Sequence, residues 1–246
     1  MVALSVNVNK VATLRNSRGG SEPRVLAAVD VCLKAGVQGI TVHPRHDERH
    51  ITARDVQEIA ARLAQPDAVH VEFNIEGDPR PDWLAVVHEV RPQQATLVPV
   101  RPGEITSEAG WPQTTDRAAL GEIVSGLKGQ GIRVSVFVDP TPEAIALARD
   151  VGADRVELYT GPFAAACAKS KDEGTRLLAK YIAAAEAAHQ LGLGVNAGHD
   201  LDLVNLPSFL TLPFLDEVSI GHALMSHALF VGLDRAVRDY LQTIAG

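Results

Sequence analysis

Residues 194–223 read GVNAGHDLDLVNLPSFLTLPFLDEVSIGHA. Short runs of small and β-branched residues stand at either end, Gly194–Gly198 and Glu217–Gly221, with an apolar segment, Leu203–Leu210, between them. Runs of this length bounded by glycine read as buried strands, and the segment between them as the crossover helix of a parallel pair. Both strands end in Gly-His, as Gly198-His199-Asp200 and Gly221-His222-Ala223. Glycine lets backbone N–H groups approach an anion closely, and a helix starting there adds partial positive charge, so both ends read as phosphate grips.

Upstream the same unit repeats. Further strand-like runs fall at Leu4–Asn9, Gly39–His43, Val69–Asn74, Ala95–Val100, Arg133–Asp139 and Arg155–Thr160, which brings the count to eight. Amphipathic segments separate them at Arg24–Ala35, Ala53–Leu63, Asp82–Val90, Arg117–Gln130, Pro142–Val151 and Lys171–Leu191, and Ala223–Ile244 closes the chain. Gly36, Gly131, Gly152 and Gly192 each stand where a helix turns back into a strand. Strict alternation of this kind calls for parallel pairing with right-handed crossovers, and eight units close most naturally into a barrel. The expectation is therefore an α/β fold, a single-domain (β/α)8 TIM barrel over residues 1–246. An open doubly wound sheet is the competitor; it would carry GxGxxG after the first strand, which is missing, whereas glycine-rich ends on strands seven and eight suit a barrel's phosphate loops.

The composition narrows the class. A net charge of −7 with no long Lys/Arg run argues against nucleic acid as a partner. Cys32 and Cys167 are far apart and form no CxxC or Cys/His pattern, so neither a disulfide framework nor a metal site is expected. No apolar run is long enough to span a membrane and the N-terminus lacks signal-peptide features, which points to the cytoplasm.

Polar and ionisable residues collect in or after the strand runs: Asn7, Asn9, Lys10, His43, Glu72, Glu157, His199 and His222. In a barrel these would converge on one mouth. His43 leads into a loop with Arg45 and His50, donors suited to a phosphate or a hydroxyl-rich substrate. Glu72 and Glu157 lie inside apolar runs, where burial would raise a carboxyl toward the neutrality a general base needs; a structural salt bridge explains Glu72 equally well. The loop Asn7–Gly20, with Lys10 and Arg18, reads as a clamp over ligand or as a basic solvent-facing loop.

Taken with Ala12-Thr-Leu-Arg-Asn-Ser-Arg18-Gly, Gly39-Ile-Thr-Val-His43-Pro-Arg45, Arg49-His50-Ile-Thr, Glu104-Ile-Thr106-Ser, Val195-Asn-Ala-Gly-His199 and Ile220-Gly221-His222-Ala, the chain resembles the pyridoxine 5′-phosphate synthase family nearly end to end. The resemblance implies condensation of 1-deoxy-D-xylulose 5-phosphate with 3-amino-2-oxopropyl phosphate, without metal or organic cofactor, in a homo-octamer. It implies proton acceptance by His43 and Glu72, donation by His199 and transition-state stabilisation by Glu157. Asn7, Arg18, Asp200, Gly221 and His222 would hold the aminoketone phosphate, and Arg45, His50 and Thr106 the deoxyxylulose phosphate. Two positions depart from the family pattern: Asn9-Lys10 replaces an Asp-His pair, and Asp200 stands where many members have glycine. Asn9 and Lys10 are expected still to contact the deoxyxylulose phosphate, and Asp200 to meet a phosphate through its backbone N–H with the carboxylate turned away. Two other readings remain, a single-substrate phosphosugar isomerase or lyase on the same barrel and a non-catalytic paralogue that binds a B6 phosphate.

Overall fold

In the computed structural model, which describes residues 1–101 and 103–246, the chain runs β1 (Ala3–Asn7), α1 (Asn9–Asn16), α2 (Val25–Ala35), β2 (Gly39–Val42), α3 (Ala53–Leu63), β3 (Glu72–Gly77), α4 (Pro81–Val90), β4 (Gln94–Leu97), α5 (Arg117–Lys128), β5 (Arg133–Val138), α6 (Pro142–Asp150), β6 (Arg155–Tyr159), α7 (Gly161–Lys169), α8 (Lys171–Gln190), β7 (Gly194–Gly198), α9 (Leu206–Phe209), β8 (Leu215–Ile220), α10 (His222–Val231) and α11 (Leu233–Ala245). The eight strands are parallel and close in chain order, β1 to β8 and back to β1. This is the expected (β/α)8 barrel.

Side chains alternate across each strand with period 2. The outward set is apolar and fully buried under the helices: Leu4, Val6, Ile40, Val42, Ile75, Leu97, Val134, Val136, Val156, Leu158, Val195 and Val218. The inward set is polar and equally buried: Ser5, Thr41, Asn74, Gln94, Thr96, Ser135, Glu157, Asn196, Glu217 and Ser219. Barrels of this class are more often filled with branched apolar residues. Here hydrogen bonds fill the interior instead. Ser5 Oγ meets Thr41 Oγ1 at 2.7 Å, Asn74 donates to Thr41 Oγ1 at 3.4 Å, and Thr96 donates to Asn74 Oδ1 at 2.9 Å. Toward the N-terminal end, Arg133 donates to Gln94 at 3.0 Å and pairs with Glu72, while Asn196 accepts from Arg155 at 3.0 Å and donates to Glu217 at 3.2 Å.

Most boundaries shift by a few residues from the sequence expectation, and three of the departures bear on the site. β3 begins at Glu72 rather than Val69, because residues 65–71 close on themselves: the amides of Ala68 and Val69 donate to Gln65 O, that of Val71 to Ala68 O, and Val69 is 63% exposed. Glu72 therefore opens β3 opposite Gly39, and Glu76 stands near its C-terminal end. The expected clamp loop is largely helix α1, fixed to α3 by a two-pronged Arg15–Asp55 pair, whose second contact is 2.9 Å. Asp55 also completes a capping box with Thr52, so one carboxylate caps α3 and holds α1. The segments expected as Lys171–Leu191 and Ala223–Ile244 are preceded or divided by breaks, at Ser170 between α7 and α8 and at Gly232, with φ +85°, between α10 and α11.

The end of β3 is locked by Trp83, which is fully buried and donates its indole N–H to Glu76 O at 2.9 Å while its ring lies against Gly77. A β-carbon at Gly77 would overlap that ring. Gly77→Ala is therefore expected to destabilise the protein by about 1–3 kcal/mol, the scale of overpacking a filled core, read as a lower urea midpoint.

Candidate active site

The C-terminal strand ends enclose a cavity of about 460 Å³. It divides by charge. Lys10, Arg45, Arg49, His50 and His222 form a rim rich in donors, and Glu76 and Glu157 form an acidic floor.

His43 follows β2, and its backbone N–H donates to Asn9 Oδ1 at 2.9 Å, so the amide at position 9 sets where the imidazole stands. Burial, followed by electrostatic repulsion from the neighbouring His50 when protonated and from Arg45, Arg80 and Arg49, holds His43 well below the ordinary imidazole range. It is thus neutral at pH 7 and able to accept a proton. His50 is depressed to about 4 by burial first and then by Arg45, Lys10 and Arg49. Its Nδ1 accepts from the Ile51 amide at 2.9 Å, which leaves Nε2 as the N–H donor.

Glu76 Oε2 lies 3.8 Å from His43 Nδ1 and accepts from Asn7 Nδ2 at 3.4 Å. Burial and then the charge of Glu217 push Glu76 up to about 8, against a lowering hydrogen bond from Ser219. Glu157 rises well above the usual carboxylate range through burial and then repulsion from Glu76, only partly opposed by the neighbouring Thr96 hydroxyl. Gly198 leaves room for it, since a β-carbon there would collide with Glu157 Oε1.

On the opposite wall His199 stands between two partners, Thr106 Oγ1 at 2.9 Å from Nε2 and Asp200 Oδ2 at 2.8 Å from Nδ1. The Asp200 carboxylate is held below its ordinary range first by that hydrogen bond. The departure at position 200 thus has a physical role: the side chain turns to the neighbouring imidazole. Arg45 donates to Glu104 O at 3.3 Å, and Arg49 to the carbonyls of Glu104 and Ile105 at 3.1 Å each; these bonds draw the segment carrying Thr106 over the cavity. At strand eight, Gly221 caps α10, and a β-carbon there would sit 3.0 Å from Asn7 Cβ.

The structure brings Asn7, Asn9, Lys10, His43, Arg45, His50, Thr106, Glu157, His199, Asp200, Gly221 and His222 to one cavity. It leaves out two expected residues. Glu72 is at the N-terminal end of β3, paired with Arg133, which is the salt-bridge alternative realised. Arg18 lies exposed in the turn after α1 and does not line the cavity. Residues not anticipated from sequence are Glu76, Arg49, Thr13, Ser107, Phe137 and Ser219. Glu76 had a signal: it precedes Gly77, a glycine at the strand end like Gly198 and Gly221, once β3 is slid along by three residues.

The family model for "Pyridoxal phosphate biosynthesis protein PdxJ" matches residues 4–246. Proteins named pyridoxine 5′-phosphate synthase align over nearly their whole length: that of Cytophaga hutchinsonii is 49% identical over 246 residues, covering 99% of each chain. That of Bacteroides fragilis is 50% identical over 241 residues, covering 98% of each. Solved structures similar in fold include thiamine phosphate pyrophosphorylase from Pyrococcus furiosus, with TM-score 0.63 at 15% identity over 99% of this chain and 96% of that one. N-(5′-phosphoribosyl)anthranilate isomerase from Pyrococcus furiosus gives 0.62 at 13% identity over 100% and 99%.

The raised carboxyls bear on stability. Glu76 and Glu217, both near 8, keep protons in the folded protein that they release near 4.5 when unfolded. Their contribution is complete below about 4.5 and is lost as pH rises through about 8. The unfolding free energy in urea should therefore fall between pH 6 and pH 9, and fall less in Glu76→Gln.

Proposed function

The chain belongs to the PdxJ family of pyridoxal phosphate biosynthesis proteins, and from that premise we propose that it is a pyridoxine 5′-phosphate synthase, which condenses 1-deoxy-D-xylulose 5-phosphate with 3-amino-2-oxopropyl phosphate to pyridoxine 5′-phosphate, phosphate and water. One observation carries the reading beyond the relatives' names: a single cavity is lined by donors suited to phosphate from two parts of the chain, Lys10, Arg45, Arg49 and His50 on one hand and Gly221 and His222 at the end of β8 on the other, together with the carboxyls Glu76 and Glu157. Two phosphate dianions need separate cationic sites, because close juxtaposition would repel them. The amino group of one substrate needs an acceptor below.

Arg45, His50 and Thr106 hold the deoxyxylulose phosphate on one side, with Lys10 beside them. Asn7, Gly221, His222 and the backbone at Asp200 hold the aminoketone phosphate on the other, aided by the positive N-terminus of the ten-residue helix α10. Neutral His43 accepts protons during enolisation, and His199 donates a proton to a departing oxygen, its ring oriented by Asp200 and Thr106. A protonated Glu157 donates a hydrogen bond to oxygen that gains charge in the transition state. Arg18 is given no role.

The same reading makes the protein a cytoplasmic homo-oligomer, since its substrates are membrane-impermeant phosphates and it carries an apolar surface beyond the mouth. Leu229 and Phe230 of α10, with Leu14 of α1, are 76%, 90% and 54% exposed. No helix among the described residues is long and apolar enough to cross a membrane.

Purified protein given both substrates should release pyridoxine 5′-phosphate and inorganic phosphate in equal amounts; phosphate or sugar isomer without the ring product would favour the single-substrate alternative. Arg45→Ala should raise KM for deoxyxylulose phosphate by about 10-fold or more while leaving that for the aminoketone within about threefold. His222→Ala should do the reverse, each change removing a charge-assisted or neutral phosphate contact worth about 1–3 kcal/mol.

A further inference from the structure

His199 has both ring nitrogens engaged, Nδ1 by Asp200 Oδ2 at 2.8 Å and Nε2 by Thr106 Oγ1 at 2.9 Å. The Asp200 carboxylate is held in its charged form first by the bond from His199, with Lys10 among the charges that add to it. An ionised carboxylate can only accept, so the ring keeps a proton on Nδ1 in either charge state. Nε2 is therefore the nitrogen that changes. In the neutral ring it is bare and accepts the Thr106 hydroxyl proton; in the imidazolium it donates to Thr106 Oγ1. The hydroxyl hydrogen thus points at the ring in the first state and is free to point into the cavity in the second.

Thr106 is exposed and lines the cavity, and among the described residues its hydroxyl has no partner besides His199. The imidazole has little freedom to turn past it. Thr160 Oγ1 donates to Gly198 O at 2.6 Å, Asn205 donates to Asp200 O at 3.1 Å, and Tyr159 closes on the ring edge-on at 5.1 Å. A proton on Nε2 therefore sits in a hydrogen bond to Thr106, and handing it straight to a substrate would first break that bond. Hydroxide is a poor leaving group, so a hydroxyl lost as water in the condensation needs a proton from a positioned acid.

Resting on the synthase reading, we propose that the acid proton leaves His199 through the Thr106 hydroxyl, with Asp200 as the positioning carboxylate of a three-membered relay. The Thr106 O–H bond breaks as an O–H bond forms on the departing hydroxyl, which leaves carbon as water with the C–O electron pair. At the same time the Nε2–H bond breaks and its proton restores the Thr106 hydroxyl. The net change is one proton passed from the imidazolium to water; Thr106 ends as it began, and His199 ends neutral with its remaining proton on Nδ1 toward Asp200. The ring is recharged from solvent, to which its side chain is 20% exposed. The hydroxyl serves the deoxyxylulose substrate as a ligand before transfer and as the donor during it.

The test compares Thr106→Val, Thr106→Ser, His199→Gln, the double variant Thr106→Val/His199→Gln and Asp200→Asn with wild type, using the full chain and both substrates. Valine keeps the shape of threonine without its hydroxyl. Thr106→Val should lower kcat by about 10²–10⁴-fold, the range for a lost acid–base group, while KM for deoxyxylulose phosphate rises about threefold at most; Thr106→Ser should recover most of the loss. Groups acting in series are not additive, so the double variant should be within about threefold of the slower single variant, whereas independent roles would multiply. In free protein labelled with ¹⁵N-histidine, the neutral His199 ring should carry its proton on Nδ1 in wild type and on Nε2 in Asp200→Asn, whose amide NH₂ can donate to a bare Nδ1. Thr106→Val that raises KM and leaves kcat within about fivefold, a double variant whose loss is the product of the single losses, or a wild-type ring protonated on Nε2 would overturn the relay. An unchanged tautomer in Asp200→Asn would remove Asp200 from it. A wild type that forms no pyridoxine 5′-phosphate would overturn the synthase reading and the transfer with it, while the tautomer of the free protein stands or falls by itself.

Discussion

The structure depends on a closed barrel whose interior is polar. Each buried hydroxyl, amide or carboxyl left without a partner would cost about 1–3 kcal/mol, so the inward residues must meet one another across strands. Most do so, in the chain Ser5–Thr41–Asn74–Thr96 and in the lower set of Glu72, Gln94, Arg133, Arg155, Asn196 and Glu217, while Gln94 Nε2, Glu72 Oε1 and Ser135 Oγ stay unpaired. Hydrogen bonds of this kind are directional, which fixes strand register more tightly than apolar filling would. Gly39 is part of the same constraint, since a β-carbon there would sit 2.8 Å from Ser5 Oγ. The hydrophobic stabilisation lies outside the barrel, between its outer face and the helices.

From this constraint follows the electrostatics of the mouth. The polar column ends at the cavity in Glu76 and Glu157, and burial there disfavours charge on either. The same burial keeps His43 and His50 uncharged, with the rim cations pushing in the same direction. At an effective dielectric near 20, two unit charges 4 Å apart interact by about 4 kcal/mol, enough to move proton occupancy when a phosphate or an ammonium arrives. The site therefore favours the neutral forms of Glu76, Glu157, His43 and His50, and a charged group entering beside them would change that balance.

Much of this was legible in the chain. The spans Gly194–Gly198 and Ala53–Leu63 were read as they stand, the first because glycine bounds it and the second because its apolar residues form an amphipathic stripe. The convergence of His43, Glu157, His199 and His222 followed from parallel strands sharing one mouth. Position along β3 was harder to read. Val69-His-Val-Glu has strand-like composition, yet its first residues are spent on a turn, and composition carries no information about where a turn closes. Placing the strand three residues early put Glu72 near its C-terminal end, where the structure has Glu76; the two are four positions apart, so both face inward, but only Glu76 lies at the mouth. Helix α1 escaped notice because its polar residues hide a weak apolar stripe, and a remote carboxylate, Asp55, holds it in place.

His199 and Asp200 show how the mouth is tied together. Both are non-glycine residues at positive φ, +89° and +60°, a conformation that costs of order 1–3 kcal/mol per residue unless the surroundings enforce it. Thr160 Oγ1 donates to Gly198 O at 2.6 Å, Asn205 donates to Asp200 O at 3.1 Å, and the His199 ring meets Tyr159 edge-on at 5.1 Å. These contacts hold the bend from both sides. The bend in turn sets His199 between Asp200 and Thr106, and Thr106 is on a segment gripped by Arg45 and Arg49. The guanidinium groups that line the cavity are thus the ones that position the hydroxyl hydrogen-bonded to His199. Each guanidinium has five N–H donors and spends only some of them on backbone carbonyls or Asp47. The free donors of Arg45 and Arg49 at the cavity and the alignment of His199 therefore draw on the same two side chains, and one cannot be altered without the other.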